Sequence, residues 1–181
     1  LSSGESDVIY ISPDGNGSGS FNDSSNLENA IKHSGSGGTI IFLDGNYTVN
    51  SSQYIYNDNL VFKAAPNSSV FISSKLDGDV FIVSAKNVCF INLNFNNNLI
   101  NGSVIKGKPG SIVNIENCSF NSNSGKNGVC VYIDWMVKLN VNNSIFTNNY
   151  AKGNGGCIYV DSHTEISLNN SVFRKNYAEG N

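Results

Sequence analysis

Charge is scarce in this chain. Only 14% of its 181 residues are charged, and the formal net charge is −3. That leaves no basic field for nucleic acid. There is a single arginine, Arg174, and two histidines, His33 and His163, neither with a repeated acidic partner. Catalysis through paired carboxylates, or through calcium with an Arg or Lys base, needs clustered groups of these kinds. The sequence is poor in both. No apolar run approaches the ~18 residues of a membrane helix, so membrane insertion is not expected in this segment. Four cysteines, Cys89, Cys118, Cys130 and Cys157, do not make a disulfide framework at this length. Leu1 opens the chain with neither an initiator Met nor a signal peptide, which reads as a processed or trimmed chain.

Asparagine is abundant, about one residue in six, and much of it is periodic. Asn117-Cys118-Ser119-Phe120, Asn143-Ser144-Ile145-Phe146 and Asn170-Ser171-Val172-Phe173 are copies of one unit. A fainter copy ends at Phe95, so the Phe positions step by 25, 26 and 27 residues. Each Phe has Asn three residues before it and three after it, the latter being Asn98, Asn123, Asn149 and Asn176. Apolar pairs precede each Phe by seven and five residues: Val88/Phe90, Val113/Ile115, Leu139/Val141 and Ile166/Leu168.

A repeat of this length is one supersecondary unit stacked on itself. The apolar residues alternate, which is strand spacing and not helical spacing. The expected fold is all-β, a single-stranded right-handed parallel β-helix of six turns, with coils ~4.8 Å apart. Phe95, Phe120, Phe146 and Phe173 should form an interior ladder. The Asn columns should sit at the bends, where Asn tolerates the left-handed conformation. Stacked amides should also bond along the axis.

The whole chain, 1–181, reads as one domain. Residues 1–50 make an N-terminal cap and first turn, 51–86 irregular turns, and 87–181 the regular repeats of 25–27 residues. Ser25-Asn26-Leu27-Glu28 is a capping-box pattern, and a short helix is expected from Asn26 to His33, laid across the open end of the stack. Leu60/Phe62 precede Val88/Phe90 by 28 residues and should share their column. At the other end Tyr177-Ala178-Glu179-Gly180-Asn181 stops in mid-repeat, so the chain reads as the N-terminal piece of a longer array, truncated at its C-terminus. Exposed strand edges there would favour self-association.

Tyr10-Ile11-Ser12-Pro13-Asp14-Gly15, Leu27-Glu28-Asn29-Ala30-Ile31 and Gly38-Thr39-Ile40-Ile41-Phe42-Leu43-Asp44-Gly45-Asn46-Tyr47-Thr48 resemble the N-terminal cap of pectate-lyase-like right-handed β-helices. The later units resemble the repeats of bacterial polymorphic outer-membrane proteins. They are most similar to those of adhesin-like surface proteins of methanogenic archaea. The resemblance spans nearly the whole chain. It implies an exported, cell-wall-associated, adhesive protein. Together with the repeat array and the thin inventory of catalytic groups, it leads to the expectation of a non-catalytic segment presenting a surface to glycan or protein on another cell. Two other expectations stand beside it: a polysaccharide lyase or hydrolase of the same fold class, and a purely structural stalk.

Candidate site residues follow from the column logic. Tyr132 and Tyr159 are equivalent and should point outward, with Trp135 nearby; exposed aromatics stack on sugars or protein partners, or merely cover their neighbours. Asp134 and Asp161 should stack, giving a weak Ca²⁺ site, an acid pair or two solvated turn residues. No other cofactor is expected. Asp77 and Asp79 flank Gly78 as turn residues. Cys130 and Cys157 should be neighbours one coil apart, within the Cα range of a disulfide though with side-chain directions often unsuited to one. Cys118 reads as a small core residue. Sequons, including Asn16, Asn67, Asn117 and Asn169, would carry glycan only on an exported chain.

Overall fold

The structure, a computed structural model, describes residues 7–180. Alternation makes the strands. Val113, Ile115, Leu139 and Val141 are buried, while Asn114 and Asn140 between them reach solvent. Each such segment pairs in parallel with its copy one coil on, Val113 with Leu139 and Ile115 with Val141. Stacking of these pairs yields a right-handed parallel β-helix of about five turns. Five coils are complete on all three faces, and Glu165–Asn169, Val172–Arg174 and Tyr177–Ala178 begin a sixth, against the six turns expected.

The faces are three sheets. The first runs Val8–Ile11, Thr39–Phe42, Val61–Ala64, Val88–Ile91, Ile112–Glu116, Lys138–Asn142, Glu165–Asn169. The second has two arms that meet at the long strand Val70–Leu76. One arm carries Asn94–Asn96, Ser119–Asn121, Ile145–Thr147 and Val172–Arg174; the other carries Leu99–Ile100, Ser124–Gly125, Tyr150–Ala151 and Tyr177–Ala178. The third runs Gln53–Ile55, Phe81–Val83, Ile105–Gly107, Val131–Ile133, Ile158–Val160. The 28-residue step is real, with Phe62 opposite Phe90.

The interior is filled by the expected ladder. Phe95, Phe120, Phe146 and Phe173 stack at centroid spacings of 4.7, 4.8 and 4.6 Å. A second stack, Phe62 on Phe90 at 5.1 Å, is joined to the first through Phe81, which meets Phe62, Phe90 and Phe95 edge to face. Both arrangements suit the quadrupole of the ring.

The two Asn columns have different jobs. Asn92, Asn117, Asn143 and Asn170 hold φ between 47° and 58°, the left-handed bend that was expected. The column after each Phe does not. There the left-handed residue is the one before, Asn97, Ser122, Asn148 or Lys175. Asn98, Asn123 and Asn149 instead turn inward and are buried. Asn123 donates its amide to Phe95 O (2.9 Å) and to Asn149 Oδ1 (2.9 Å), and Asn149 repeats this with Phe120 O and Asn176 Oδ1. Ser74, a coil earlier, starts the ladder by donating to Asn98 Oδ1 at 2.6 Å. Inward-facing amides are stable here because their donors and acceptors find partners in the coils before and after.

Repeat length grows at one corner. Val113 to Ser119 and Leu139 to Ile145 both take six residues. From Leu99 to Ile105, Ser124 to Val131 and Tyr150 to Ile158 the chain takes six, seven and eight. The growing corner is glycine-rich. Gly128 has φ +49°, and a Cβ there would lie 2.5 Å from Val131 O, so no other residue fits.

The helix α1 (Leu27–His33) caps the stack, with Ala30 buried and Leu27 and Ile31 packed on the core. Its N-cap is Asn26, which accepts from Asn29 N–H at 2.9 Å. Ser25, the expected cap, is already held by backbone bonds to Tyr10 and Ser12 and bridges Ile11 like a strand residue. His33 closes the last turn, its Nδ1–H donating to Asn29 O at 2.8 Å. No helix among the described residues is long and apolar enough to cross a membrane.

Candidate binding face

Strand alternation on the third sheet sends Val131 and Ile133 inward and Tyr132 outward. In-register pairing then lines up one outward column across five coils: Tyr54, Ile82, Lys106, Tyr132 and Tyr159. Tyr132 and Tyr159 stack with centroids 4.9 Å apart and planes 21° from parallel. On the other side of Tyr132 lies the Lys106 ammonium, 4.9 Å from the ring centroid. Such a cation over a ring is attracted by about 0.5–1 kcal/mol at a solvated site. Lys106 also approaches Asp79 at 3.8 Å. Asp79 is itself fixed, accepting from Ser103 N–H at 2.8 Å, while its backbone carbonyl accepts the Ser52 hydroxyl.

This geometry changes what the tyrosines offer. Both faces of Tyr132 are taken, by Lys106 and by Tyr159, so a sugar cannot lie flat on it. What faces solvent is the ring edge and the hydroxyl. Burial first, then the neighbouring Tyr159, Asp134, Asp161 and Asp79, pushes the Tyr132 phenol up from its ordinary value, further into the range where it is a neutral donor. Trp135 sits just beyond the strand, half exposed, on a turn closed by Met136 at φ 58°. Tyr54 and Tyr56 form a second exposed pair at the far end of the face, stacked at 6.4 Å.

Asp134 and Asp161 do fall on adjacent coils, with Asp134 N–H donating to Gly107 O and Asp161 N–H to Ile133 O. Each carboxylate caps its own turn. Asp134 Oδ1 accepts from Trp135 N–H at 3.0 Å, and Asp161 Oδ1 from Ser162 N–H at 2.6 Å. Lys108 occupies the same column one coil before Asp134. Calcium wants six to eight oxygens, and among the described residues no group of three or more His, Cys, Asp or Glu gathers here or elsewhere. Asp77 and Asp79 are turn residues, with Asp77 accepting from the Asn101 amide at 2.9 Å.

The cysteines separate into three kinds. Cys118 is buried at the corner before Phe120 and bonds to Phe90 O and Glu116 O. Cys89 points outward from the first sheet. Cys130 and Cys157 are free thiols, both buried, with sulfurs 3.4 Å apart.

One groove was not anticipated. It lies along the second arm of the second sheet, encloses about 660 Å³, and is lined by Lys75, Asp77, Leu99, Asn101, Ser124 and Lys152. Lys75, Leu99 and Ser124 are one outward column by pairing. Continuing the 24- and 25-residue steps across Lys75 and Leu99 would have aligned them, but no aromatic marks the column in sequence.

No family model matches the chain, and no curated protein sequence does either. The crystal structure of pectate lyase Pel9A is similar in course, with a TM-score of 0.39 and 14% identity, and the match covers 95% of this chain and 78% of that one.

Proposed function

We propose that this chain is a non-catalytic segment of an adhesin-like protein of the cell surface or cell wall, displaying a binding face to glycan or protein on another cell. The observation that supports it best is the third-sheet column Tyr54, Ile82, Lys106, Tyr132, Tyr159 with Trp135 at its edge. It is a repeated outward surface of aromatic edges and hydroxyls with one ammonium and one aliphatic side chain, Ile82. Aromatics with a wet polar tip are common at interfaces. Tyr132 and Tyr159 contribute hydroxyls and edges, and Trp135 the one broad ring.

The test uses a glycan array and binding to intact cells of a neighbouring species. Saturable binding is expected, and Trp135→Ala with Tyr159→Ala should weaken it at least tenfold, while stability falls by no more than the lost Tyr132–Tyr159 stack, about 0.5–1.5 kcal/mol. Binding that does not saturate supports a plain stalk. Turnover of polygalacturonate or another acidic glycan overturns the non-catalytic reading.

A further inference from the structure

The inward column that holds Cys130 and Cys157 is continued by Val104 one coil earlier and by Val80 before that, both fully buried. A small apolar side chain is therefore all that packing requires there. Two successive coils carry cysteine instead, side by side in parallel register, with sulfurs 3.4 Å apart. A disulfide needs about 2.05 Å, so each sulfur has to move by well under ~1 Å. Adjacent parallel strands also put the Cα atoms about 4.8 Å apart, inside the range a disulfide spans. Neither of the other thiols competes. Cys118 stacks between Leu93 and Ser144, one coil to either side, and Cys89 lies outward between Val61 and Asn114.

We infer that Cys130 and Cys157 are a disulfide site, a covalent rung that staples two consecutive coils when the chain folds in the presence of a small-molecule disulfide such as oxidised glutathione. The exchange balances. One cysteine thiolate attacks the glutathione disulfide and releases one reduced glutathione. The second thiolate then displaces the other. Two protein thiols and one glutathione disulfide become one protein disulfide and two glutathione thiols. Burial, then the neighbouring Cys157 sulfur, keeps the Cys130 thiol protonated in the folded protein. Both side chains are buried once the coils have closed, Cys130 fully and Cys157 nearly so, and exchange needs an accessible thiolate, so the bond is made while the coils close.

The location gives the bond a use. It ends the corner at which the repeat lengthens, where Gly125, Gly128, Gly153, Gly155 and Gly156 bring little side-chain packing. It links two residues 27 positions apart in sequence, and a closed loop restricts the unfolded chain.

The experiment refolds the full chain with reduced and oxidised glutathione, blocks free thiols with iodoacetamide under denaturant, and digests it with trypsin without reductant. Cys130 lies in the peptide 127–138 and Cys157 in 153–174. The expected result is these two peptides linked, with Cys89 and Cys118 alkylated. A Cys130→Val/Cys157→Val double variant restores the residue of the preceding coils, folds, and shows no linked peptide. Alkylation of all four cysteines, glutathione retained on either, or a link to Cys89 or Cys118 overturns the inference.

Discussion

At the scale of single residues, one side-chain type performs two opposed tasks, and the difference lies in whether it stands three residues before the Phe or three after it. Asn143 is a bend residue at φ 51°. Asn123 is an interior bonding residue, 1% exposed. Their substitutions should therefore rank in opposite orders. Asn143→Gly should be close to neutral, while Asn143→Ala should cost roughly 1–2 kcal/mol of left-handed strain. Asn123→Ala orphans Asn98 N–H, leaves the Asn98 amide with only its bond to Ile72 O, and takes the side-chain donor from Phe95 O. Unsatisfied buried groups cost ~1–3 kcal/mol each, so a loss of roughly 3 kcal/mol or more is expected. Urea unfolding of the three variants measures both, and equal losses for Asn143→Ala and Asn123→Ala would defeat the distinction.

Cys118 offers a titration at the same scale. Burial pushes its thiol up from 9.0 to about 12. Below pH 9 both folded and unfolded chains hold the proton, and the stability is full. Between 9 and 12 only the unfolded chain releases it, so stability falls by about 1.4 kcal/mol per pH unit. Cys118→Ser should flatten this part of the profile. Serine already stands in that column as Ser144, whose hydroxyl donates to Asn142 O at 3.0 Å. Burial of Tyr47 raises its phenol too and leaves a slope of the same sign in both proteins, so the comparison rests on the difference between them. Identical profiles from pH 9 to 12 would count against a buried thiol.

At the scale of elements, the cap is the most separable part. Asn26→Ala removes the one side-chain acceptor at the start of α1 and should cost about 1 kcal/mol. Ser25→Ala keeps the backbone bonds that hold that residue and should cost less. The reverse order, read by thermal melting, would restore Ser25 as the cap. The cap shows where pattern reading stops. Ser-Asn-Leu-Glu spelled a capping box, but the pairing of Ser25 with Ile11 is a contact between segments that no local pattern encodes. The strands were far more legible. Alternation in Val113-Asn114-Ile115 and its copies gave face and register together, because a slip of one residue would bury the asparagines. The candidate face was legible only in part. That Tyr132 points outward follows from alternation. That its two ring faces are occupied depends on Lys106, which lies 26 residues away in sequence and one coil away in space, with no homologous residue to flag it. The disposition of Asn123 failed for a related reason: its neighbour Ser122 takes the bend, although serine seldom adopts a positive φ.

At the scale of the whole molecule, each coil touches only its neighbours, so stability should be graded along the axis. Inner strands such as Ile112–Glu116 pair on both sides. Glu165–Asn169 and Val172–Arg174 pair on one side among the described residues, and Phe173 is 40% exposed where Phe146 is fully buried. Amide hydrogen exchange should release the backbone around Phe173 long before that around Phe120. Uniform protection over all coils would show an all-or-none unit instead.

The lengthening corner carries a further consequence. Between Ser124 and Val131, and again between Tyr150 and Ile158, the polypeptide absorbs added residues while every stacked pair on the three sheets stays aligned. That makes it the natural splice point of the scaffold. A foreign peptide grafted there would be displayed from one edge of a stiff rod without the rest of the winding having to adjust.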